Sequence, residues 1–161
     1  MSRSEETMPR VRQVGNGRME IFDRLRGKYV ALTPEEQVRQ GFVHLLISSY
    51  GYMPALMANE VSLQVGKLSR RADTVVYHNS LRPLLLIEYK AESVALTPEV
   101  LEQALRYNAA LGVLYIIITN GKRIACFRRL MPEEPFEMLH SIPSYAEVQE
   151  VGDNMMQNIF T

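Results

Sequence analysis

The sequence predicts a single α/β domain in which a mixed central sheet is flanked by helices. Three observations support this prediction. Two Thr-Pro pairs, beginning at Thr33 and Thr97, mark helix starts. The uninterrupted apolar runs at residues 84–87 and 113–118 are typical of strands that are buried on both faces. Shorter strand-like stretches accompany these runs, and the predicted order of elements is α-β-β-β-α-β-β.

The first helix has the most complete start signal in the chain. Thr33 supplies an N-cap hydroxyl, Pro34 occupies the first helical position, and Glu36 completes a capping box. An apolar stripe at helical spacing follows, and Gly51 ends the helix. An ordered lead-in at residues 18–32 is expected to pack on the domain.

Three strands, a second helix and two further strands follow the first helix. An Asn-Gly hairpin turn at residues 120–121 joins the last two strands, and we expect the final strand to lie at the edge of the sheet. The predicted positions are residues 61–65, 73–77 and 83–90 for the strands, 97–111 for the helix, and 113–118 and 122–127 for the last two strands.

Composition divides the chain into three segments. Residues 1–17 are polar and basic and are expected to form a disordered arm. Residues 18–130 form the folded domain. Residues 131–161 form an acidic C-terminal tail, with one short amphipathic helix near residues 144–149.

Bulk composition excludes several classes of protein. The chain has 161 residues, of which 47% are hydrophobic and 22% charged, so it is neither collagen-like nor mucin-like nor wholly disordered. The single cysteine, Cys126, excludes a disulfide framework and a cysteine-based zinc site. No apolar run approaches the roughly 20 residues of a membrane span, and the N-terminus lacks the apolar core of a signal peptide. We therefore expect a cytoplasmic protein that does not bind membranes.

The net charge of zero hides an asymmetry. Residues 1–129 hold 18 basic and 12 acidic residues, whereas residues 130–161 hold six acidic residues and no Lys or Arg. A basic body of charge +6 is compatible with a polyanionic partner. A solvated surface with unevenly distributed charge explains the same pattern equally well.

The third predicted strand ends in charged residues, which is unusual after a buried run. Residues two apart on a strand share a face, so Glu88 and Lys90 emerge together. If the second and third strands form an antiparallel hairpin, Asp73 lies beside Glu88. Two adjacent carboxylates suit Mg²⁺, and a neighbouring lysine can stabilise a phosphate, which is the chemistry of phosphodiester hydrolysis. The simpler alternative is a cross-strand ion pair of Asp73 with Lys90.

These residues resemble the signature of a known group of nucleases. Arg71-Ala-Asp73 followed by Ile87-Glu88-Tyr-Lys90 is similar to the motif of the PD-(D/E)XK superfamily, which shares the αβββαβ order of elements. The segment from Gln103 to Tyr107 resembles the Gln-x3-Tyr motif of its RecB-like branch. That branch includes the N-terminal nuclease domain of type I restriction enzyme R subunits. The similarity extends from about residue 21 to residue 127, with Ala72 where the superfamily name has proline.

The resemblance implies a role for each matching residue. Asp73 and Glu88 would bind a metal ion together with the carbonyl of Tyr89, and Lys90 would be the catalytic lysine. The expected ion is Mg²⁺, for which Mn²⁺ can substitute. The superfamily often adds a glutamate from the first helix, and the candidates here are Glu35 and Glu36. Glu35 is preferred, because its spacing from the apolar stripe places it on the face that packs on the sheet.

Further residues are candidates for the rim of the site. Gln103 and Tyr107 share a helical face. The resemblance implies that they lie at the rim of the site and contact DNA or order Lys90, and the alternative is a helix side chain that hydrogen-bonds to a neighbouring loop. Arg39 can pair with a phosphate, although a structural ion pair is the better explanation. The basic residues before Asp73 can contact the DNA backbone or can simply be solvated; they are Lys67, Arg70 and Arg71.

The sequence therefore predicts a restriction-endonuclease-like α/β fold and a Mg²⁺-dependent endodeoxyribonuclease, with a nuclease-like domain at residues 18–130. The alternative is a catalytically silent or partner-dependent module of the same fold that binds DNA or a restriction complex. A purely structural oligomerisation domain is the third class. The expected partners are DNA and subunits of a restriction-modification system. A homodimer would supply the two sites that double-strand cleavage needs.

Overall fold

The computed structural model describes residues 9–160, which form nine strands and three α-helices. The helices are α1 (Pro34–Ser49), α2 (Pro98–Asn108) and α3 (Tyr145–Phe160). The strands, in chain order, are β1 (Val11–Gln13), β2 (Met19–Asp23), β3 (Lys28–Ala31), β4 (Met57–Val65), β5 (Leu68–Tyr77), β6 (Pro83–Tyr89), β7 (Tyr115–Thr119), β8 (Ile124–Arg128) and β9 (Glu137–Leu139).

The strands form two sheets. The larger sheet has the order β4-β5-β6-β7-β8-β9, and the smaller sheet has the order β1-β2-β3. Only the β6–β7 pair is parallel among these strands, because α2 crosses over between β6 and β7. The remaining pairs are antiparallel. The predicted α/β class, with a mixed sheet flanked by helices, is confirmed.

Both helix starts follow the sequence signals. The side chain of Thr33 accepts a hydrogen bond from the backbone N–H of Glu36, and Thr97 does the same for Val100. Each cap satisfies one of the backbone donors that a helix leaves open, which is worth about 1 kcal/mol. These two local contacts mark the first turn of each helix.

Strand β6 is the centre of the hydrophobic core. Leu85 and Ile87 contact a cluster that includes Leu46 of α1 and Val148 of α3, whereas Leu86 contacts a second cluster that includes Ala104 of α2. Each fully buried leucine or isoleucine side chain contributes roughly 1.5–3 kcal/mol. The apolar run at residues 84–87 is therefore explained by burial on both faces.

The structure corrects the expected disorder of the N-terminal arm. Val11–Gln13 form β1, which pairs with β2. The pairing could not be read from the sequence, because all three β1 residues are exposed and show no apolar alternation. Residues 1–8 of the predicted arm lie outside the described residues.

The last predicted strand does not lie at the sheet edge. Strand β9 pairs with β8 on its outer side, so the edges of the larger sheet are β4 and β9. The acidic tail also contains a helix much longer than expected. Val148 and Met155 of α3 are buried in the core, and Gly152 lets the helix approach Leu84, where an added Cβ would lie 3.0 Å from that side chain.

None of the helices among residues 9–160 combines the length and the apolar character needed to cross a bilayer.

Candidate functional site

The β5–β6 hairpin brings the two predicted carboxylates together. Thr74 is paired with Ile87 in antiparallel register, so the preceding Asp73 lies opposite Glu88. Directly opposite residues on neighbouring strands have their Cβ atoms about 5 Å apart and point to the same side. The hairpin on which the site prediction depended is confirmed.

Strand β4 adds a third carboxylate that the sequence analysis did not identify. Asn59 pairs with Thr74 and Val61 with Ala72, which places Glu60 opposite Asp73. Glu60 has a backbone φ of +57°, a left-handed conformation that is uncommon for a residue other than glycine. Its place could have been found only by extending the predicted strand from Val61 back to Met57, where β4 begins.

Asp73 is held in an environment that disfavours its charge. Burial raises the pKa of the carboxyl group, and the nearby charge of Glu88 raises it further. The backbone N–H of Tyr89 opposes these effects by donating a 2.9 Å hydrogen bond to Oδ2. Among the described residues, Asp73 has no ion pair of its own.

Lys90 lies beside Glu88 as their shared face predicted. Its Nζ atom is 2.9 Å from Oε1 of Glu88, and both side chains are about one-third exposed. The alternative, an ion pair of Asp73 with Lys90, is not found among the described residues. Lys90 is therefore a neutralising neighbour of Glu88 rather than of Asp73.

A pocket gives access to this pair of carboxylates. Its polar lining includes Asp73, Glu88, Arg71, Tyr107 and Asn108. The apolar floor is formed by residues of β5, β6 and β7, among them Leu86 and Ile116. The carboxylates are thus neither sealed in the core nor on opposite sides of the molecule.

The residues present fit a hard divalent cation such as Mg²⁺. Two carboxylates and a backbone carbonyl leave several positions for water, which is the ligand set that Mg²⁺ prefers. Asp73, with its raised pKa, gains from a cation that would compensate its buried charge. Within residues 9–160, no group of three or more His, Cys, Asp or Glu side chains is closely enough gathered to hold a metal by itself. Water and the Tyr89 carbonyl would have to complete the shell.

The helix α1 contributes Glu36 to this region instead of the preferred Glu35. Glu35 is exposed, whereas Glu36 is buried and bonded to Arg26, Arg39 and Gln40. The preference for Glu35 was wrong about which side chain faces the sheet. The helical face was judged from apolar spacing, but a network of polar groups covers this end of α1.

Arg39 links that network to the carboxylates of the site. Its guanidinium group pairs with Glu36 and Glu60 and also donates a 3.0 Å hydrogen bond to the backbone carbonyl of Asp73. Burial by itself would lower the pKa of Arg39, but hydrogen bonds and charge from the two glutamates raise it overall. The expected structural ion pair of Arg39 is confirmed.

The predicted rim residues divide into two groups. Tyr107 lines the pocket, and the guanidinium group of Arg70 lies 4.1 Å from its ring centroid. Arg71 also lines the pocket and pairs with Glu60 at 2.7 Å. Lys67 and Gln103 are exposed and do not line it.

The sequence pattern of one protein family matches the part of the chain that holds this site. The family is described as type I restriction enzyme R protein N terminus, and the match covers residues 34–143. The chain belongs to this family. Asp73, Glu88 and Lys90 all lie within the matched residues, as do α1 and α2. The predicted resemblance is thereby confirmed, and the family supports a nuclease-type restriction module.

One solved structure shows the same fold at low sequence identity, and a second is more distantly similar. One is a fragment ascribed to an HsdR subunit of a type I restriction enzyme from Vibrio vulnificus YJ016, with a TM-score of 0.56 and 19% identity. The match covers 78% of this chain but only 26% of the Vibrio chain. A protein described as a nuclease of the DUF820 group, from Anabaena variabilis ATCC 29413, gives a TM-score of 0.44 at 13% identity, over 87% of this chain and 93% of that one. No curated protein matches the chain.

Proposed function

We propose that this chain hydrolyses phosphodiester bonds of DNA with Mg²⁺ held by Asp73 and Glu88 in the pocket between β5, β6 and α2. The carbonyl of Tyr89 would complete the protein ligands, and Mn²⁺ would substitute for Mg²⁺. One observation supports the proposal above the others. Asp73 lies opposite Glu88 in an accessible pocket, and its carboxylate forms no ion pair among the described residues, so that the charge of Arg39 offsets its raised pKa only in part.

When bound, Mg²⁺ would neutralise charge on the scissile phosphate and lower the pKa of an attacking water. The two carboxylates would hold the cation, and their register on neighbouring strands fixes their separation. The hydrogen bond from the N–H of Tyr89 restrains Asp73, so the group is oriented before the ion arrives. Such preorganisation removes the cost of reorienting the ligand during the reaction.

We propose Lys90 as an electrostatic catalyst. Its ammonium group lies 2.9 Å from Oε1 of Glu88. A cation bound by Glu88 would neutralise that carboxylate in place of Lys90. The Lys90 ammonium group would then be available to orient a water or to stabilise the phosphate. Arg71 and the Arg70–Tyr107 pair, at the same pocket, would position the DNA backbone.

We further propose that the chain acts together with restriction-system subunits in the cytoplasm, either within a larger assembly or as a homodimer. The similarity to an HsdR fragment that is several times longer supports this context. A glutamate of α1 is proposed to assist the site, and Glu36 is now preferred because it pairs with Arg39, which contacts the Asp73 backbone.

A nicking assay on supercoiled plasmid tests the proposal. Wild type should nick DNA with Mg²⁺ or Mn²⁺ and not with EDTA, and Asp73→Ala and Lys90→Ala should each be inactive. Glu102→Ala is the matched carboxylate control, since Glu102 is exposed on α2 and pairs only with Arg106 among the described residues. Equal nicking by all variants would identify a contaminant and would remove the assignment.

A DNA-binding module without cleavage is the second candidate. The ion pair of Lys90 with Glu88 favours it, because the two groups already satisfy each other. Calorimetric titration with Mn²⁺ separates the two functions. Heat that disappears in Asp73→Ala supports the metal site, whereas DNA binding without any Mn²⁺ heat supports the silent module.

A further inference from the structure

The small sheet carries a pair of aromatic rings on its outer face. Ile21 and Asp23 of β2 are buried, so the alternating residue Phe22 points to the opposite side. Phe22 is paired in register with Tyr29, and their ring centroids lie 5.3 Å apart in an edge-to-face arrangement. Neither ring belongs to the two hydrophobic clusters of the core. The pair is therefore not explained by core packing.

Two arginines cover these rings. The guanidinium carbon of Arg10 lies 4.3 Å from the ring centroid of Phe22, and that of Arg12 lies 3.8 Å from the centroid of Tyr29. Glu20 pairs with Arg12 at 2.9 Å and helps to fix its orientation. We name Arg10, Phe22, Tyr29 and Arg12 the arginine–aromatic ladder.

The surroundings of the ladder are positively charged, although the whole chain is neutral. Residues 9–32 contain six Lys and Arg side chains and two acidic ones. Asp23 is buried against Arg26, and Glu20 is paired with Arg12. Four cations have no ion pair with any residue in the described part of the chain, namely Arg10, Arg18, Arg24 and Lys28.

The chemistry of this face selects one class of partner. A guanidinium plane backed by an aromatic ring offers a stacking surface for an unpaired base, and its N–H groups can donate to phosphate oxygens. A duplex keeps its bases stacked inside and offers only phosphates. A purely structural cross-strand pair of rings would not need unpaired cations around it. We propose that the arginine–aromatic ladder is a binding surface for single-stranded DNA.

The ladder is separate from the pocket that contains Asp73 and Glu88, and hydrogen bonds connect the two regions. It precedes the residues that match the family. On the other face of β2, Asp23 accepts hydrogen bonds from Asn59, and Asn59 accepts one from Thr74, the neighbour of Asp73. A DNA strand bound to the ladder would therefore lie at a fixed position relative to the pocket. Binding itself needs no metal and does not depend on the proposed nuclease activity.

Fluorescence anisotropy of a labelled oligo(dT) in EDTA tests the proposal with the full chain. In Arg10→Gln/Arg12→Gln, affinity should fall at least tenfold, and the slope of log K against log salt should decrease by about 1.4, as expected for two lost phosphate contacts on a single strand. Arg106→Gln/Lys122→Gln is the matched control, because it removes the same charge from two exposed, ion-paired side chains elsewhere. The control should bind within twofold of wild type.

A second variant tests the rings. Phe22→Leu/Tyr29→Leu keeps every charge, so affinity should fall by about tenfold with little change in the salt slope. Circular dichroism melting reports whether this variant folds. If it does not fold, the Arg10→Gln/Arg12→Gln variant alone decides whether the ladder binds single-stranded DNA.

The proposal would be overturned by unchanged affinity in the arginine variant, by an equal loss in the matched control, or by binding of a duplex of the same length as tightly as oligo(dT). Tighter binding of an RNA oligonucleotide than of DNA would also contradict it. The binding assay is done in EDTA, whereas the nicking assay needs the metal ion. Loss of nicking with unchanged oligo(dT) binding would therefore count against the proposed nuclease alone, and the opposite result would count against the ladder alone.

Discussion

Two aspartates of this protein have opposite electrostatic environments. Asp23 is fully buried, yet its pKa is lowered: burial would raise it, but hydrogen bonds from Arg26 and Asn59 and the charge of Arg26 more than compensate. Asp73 is only partly buried, yet its pKa is raised by burial and by the charge of Glu88. The two carboxylates differ in the number of compensating donors that surround them.

This comparison identifies which acidic group is structural. The Asp23 carboxylate accepts the backbone N–H groups of Leu25 and Arg26 and both side-chain partners, so nothing is left for a ligand. Asp73 accepts one backbone bond and faces a pocket. Groups held in an unfavourable charge state in a pocket are typical of functional sites, where stability is exchanged for binding capacity.

The largest expected effect concerns activity. Asp73→Asn should reduce plasmid nicking by more than about 100-fold, because even the loss of a residue that only supports a metal ligand costs 10–100-fold. Asp23→Asn, assayed at a temperature where it remains folded, should retain activity within about tenfold. Initial nicking rates measure both. Similar losses in the two variants would remove the functional distinction between these carboxylates.

The second effect concerns stability in the opposite direction. Asp23→Asn should lower the free energy of unfolding by about 3 kcal/mol, because it removes a fully buried carboxylate that accepts hydrogen bonds from the backbone N–H groups of Leu25 and Arg26 and from the side chains of Asn59 and Arg26. Urea denaturation in EDTA gives this value directly. A loss below about 1 kcal/mol would show that the Asp23 network contributes little to the fold.

The third effect is smaller and depends on pH. Asp73→Asn should be as stable as wild type or up to about 1 kcal/mol more stable in EDTA at pH 7, because the amide can keep the Tyr89 bond without an uncompensated charge. Since the folded pKa of Asp73 is raised, its destabilising contribution appears as pH rises above the ordinary value of about 3.9 and is absent at lower pH.

Asp23 should show the opposite pH behaviour. Its folded pKa is lowered, so its stabilisation is present above the ordinary aspartate value and is lost as pH falls through the folded pKa. The free energies of unfolding of Asp23→Asn and Asp73→Asn, measured by urea denaturation between pH 3 and pH 7, should therefore differ from wild type in opposite directions. Parallel pH profiles would contradict the two assigned environments.

A final comparison separates the two glutamates of α1. Glu35→Ala should change the free energy of unfolding by less than about 0.5 kcal/mol, as is usual for an exposed side chain. Glu36→Ala should cost about 3 kcal/mol, because it leaves the buried Arg39 charge with one partner fewer. Thermal melts of the two neighbouring variants form a matched pair, and equal losses would restore Glu35 as the inward-facing residue.

The sequence by itself determined the elements and contacts that short-range rules control. Thr33 and Thr97 act as caps within one helical turn, and the pairing of Asp73 with Glu88 follows from a hairpin whose strands are adjacent in sequence. Strand alternation then places Lys90 beside Glu88. Each of these inferences needs only local geometry, so each could be made from spacing.

The tertiary structure decided what depends on residues that are distant in sequence. The position of Glu60 opposite Asp73 requires the register of β4, and the orientation of Glu36 requires Arg26 and Arg39 as partners. The covering of β8 by β9 and the docking of α3 likewise depend on long-range packing. A hydrophobic pattern tells which residues can be buried, but it does not tell which distant surface buries them. Polar networks such as that of Asp23 leave no periodic signal at all.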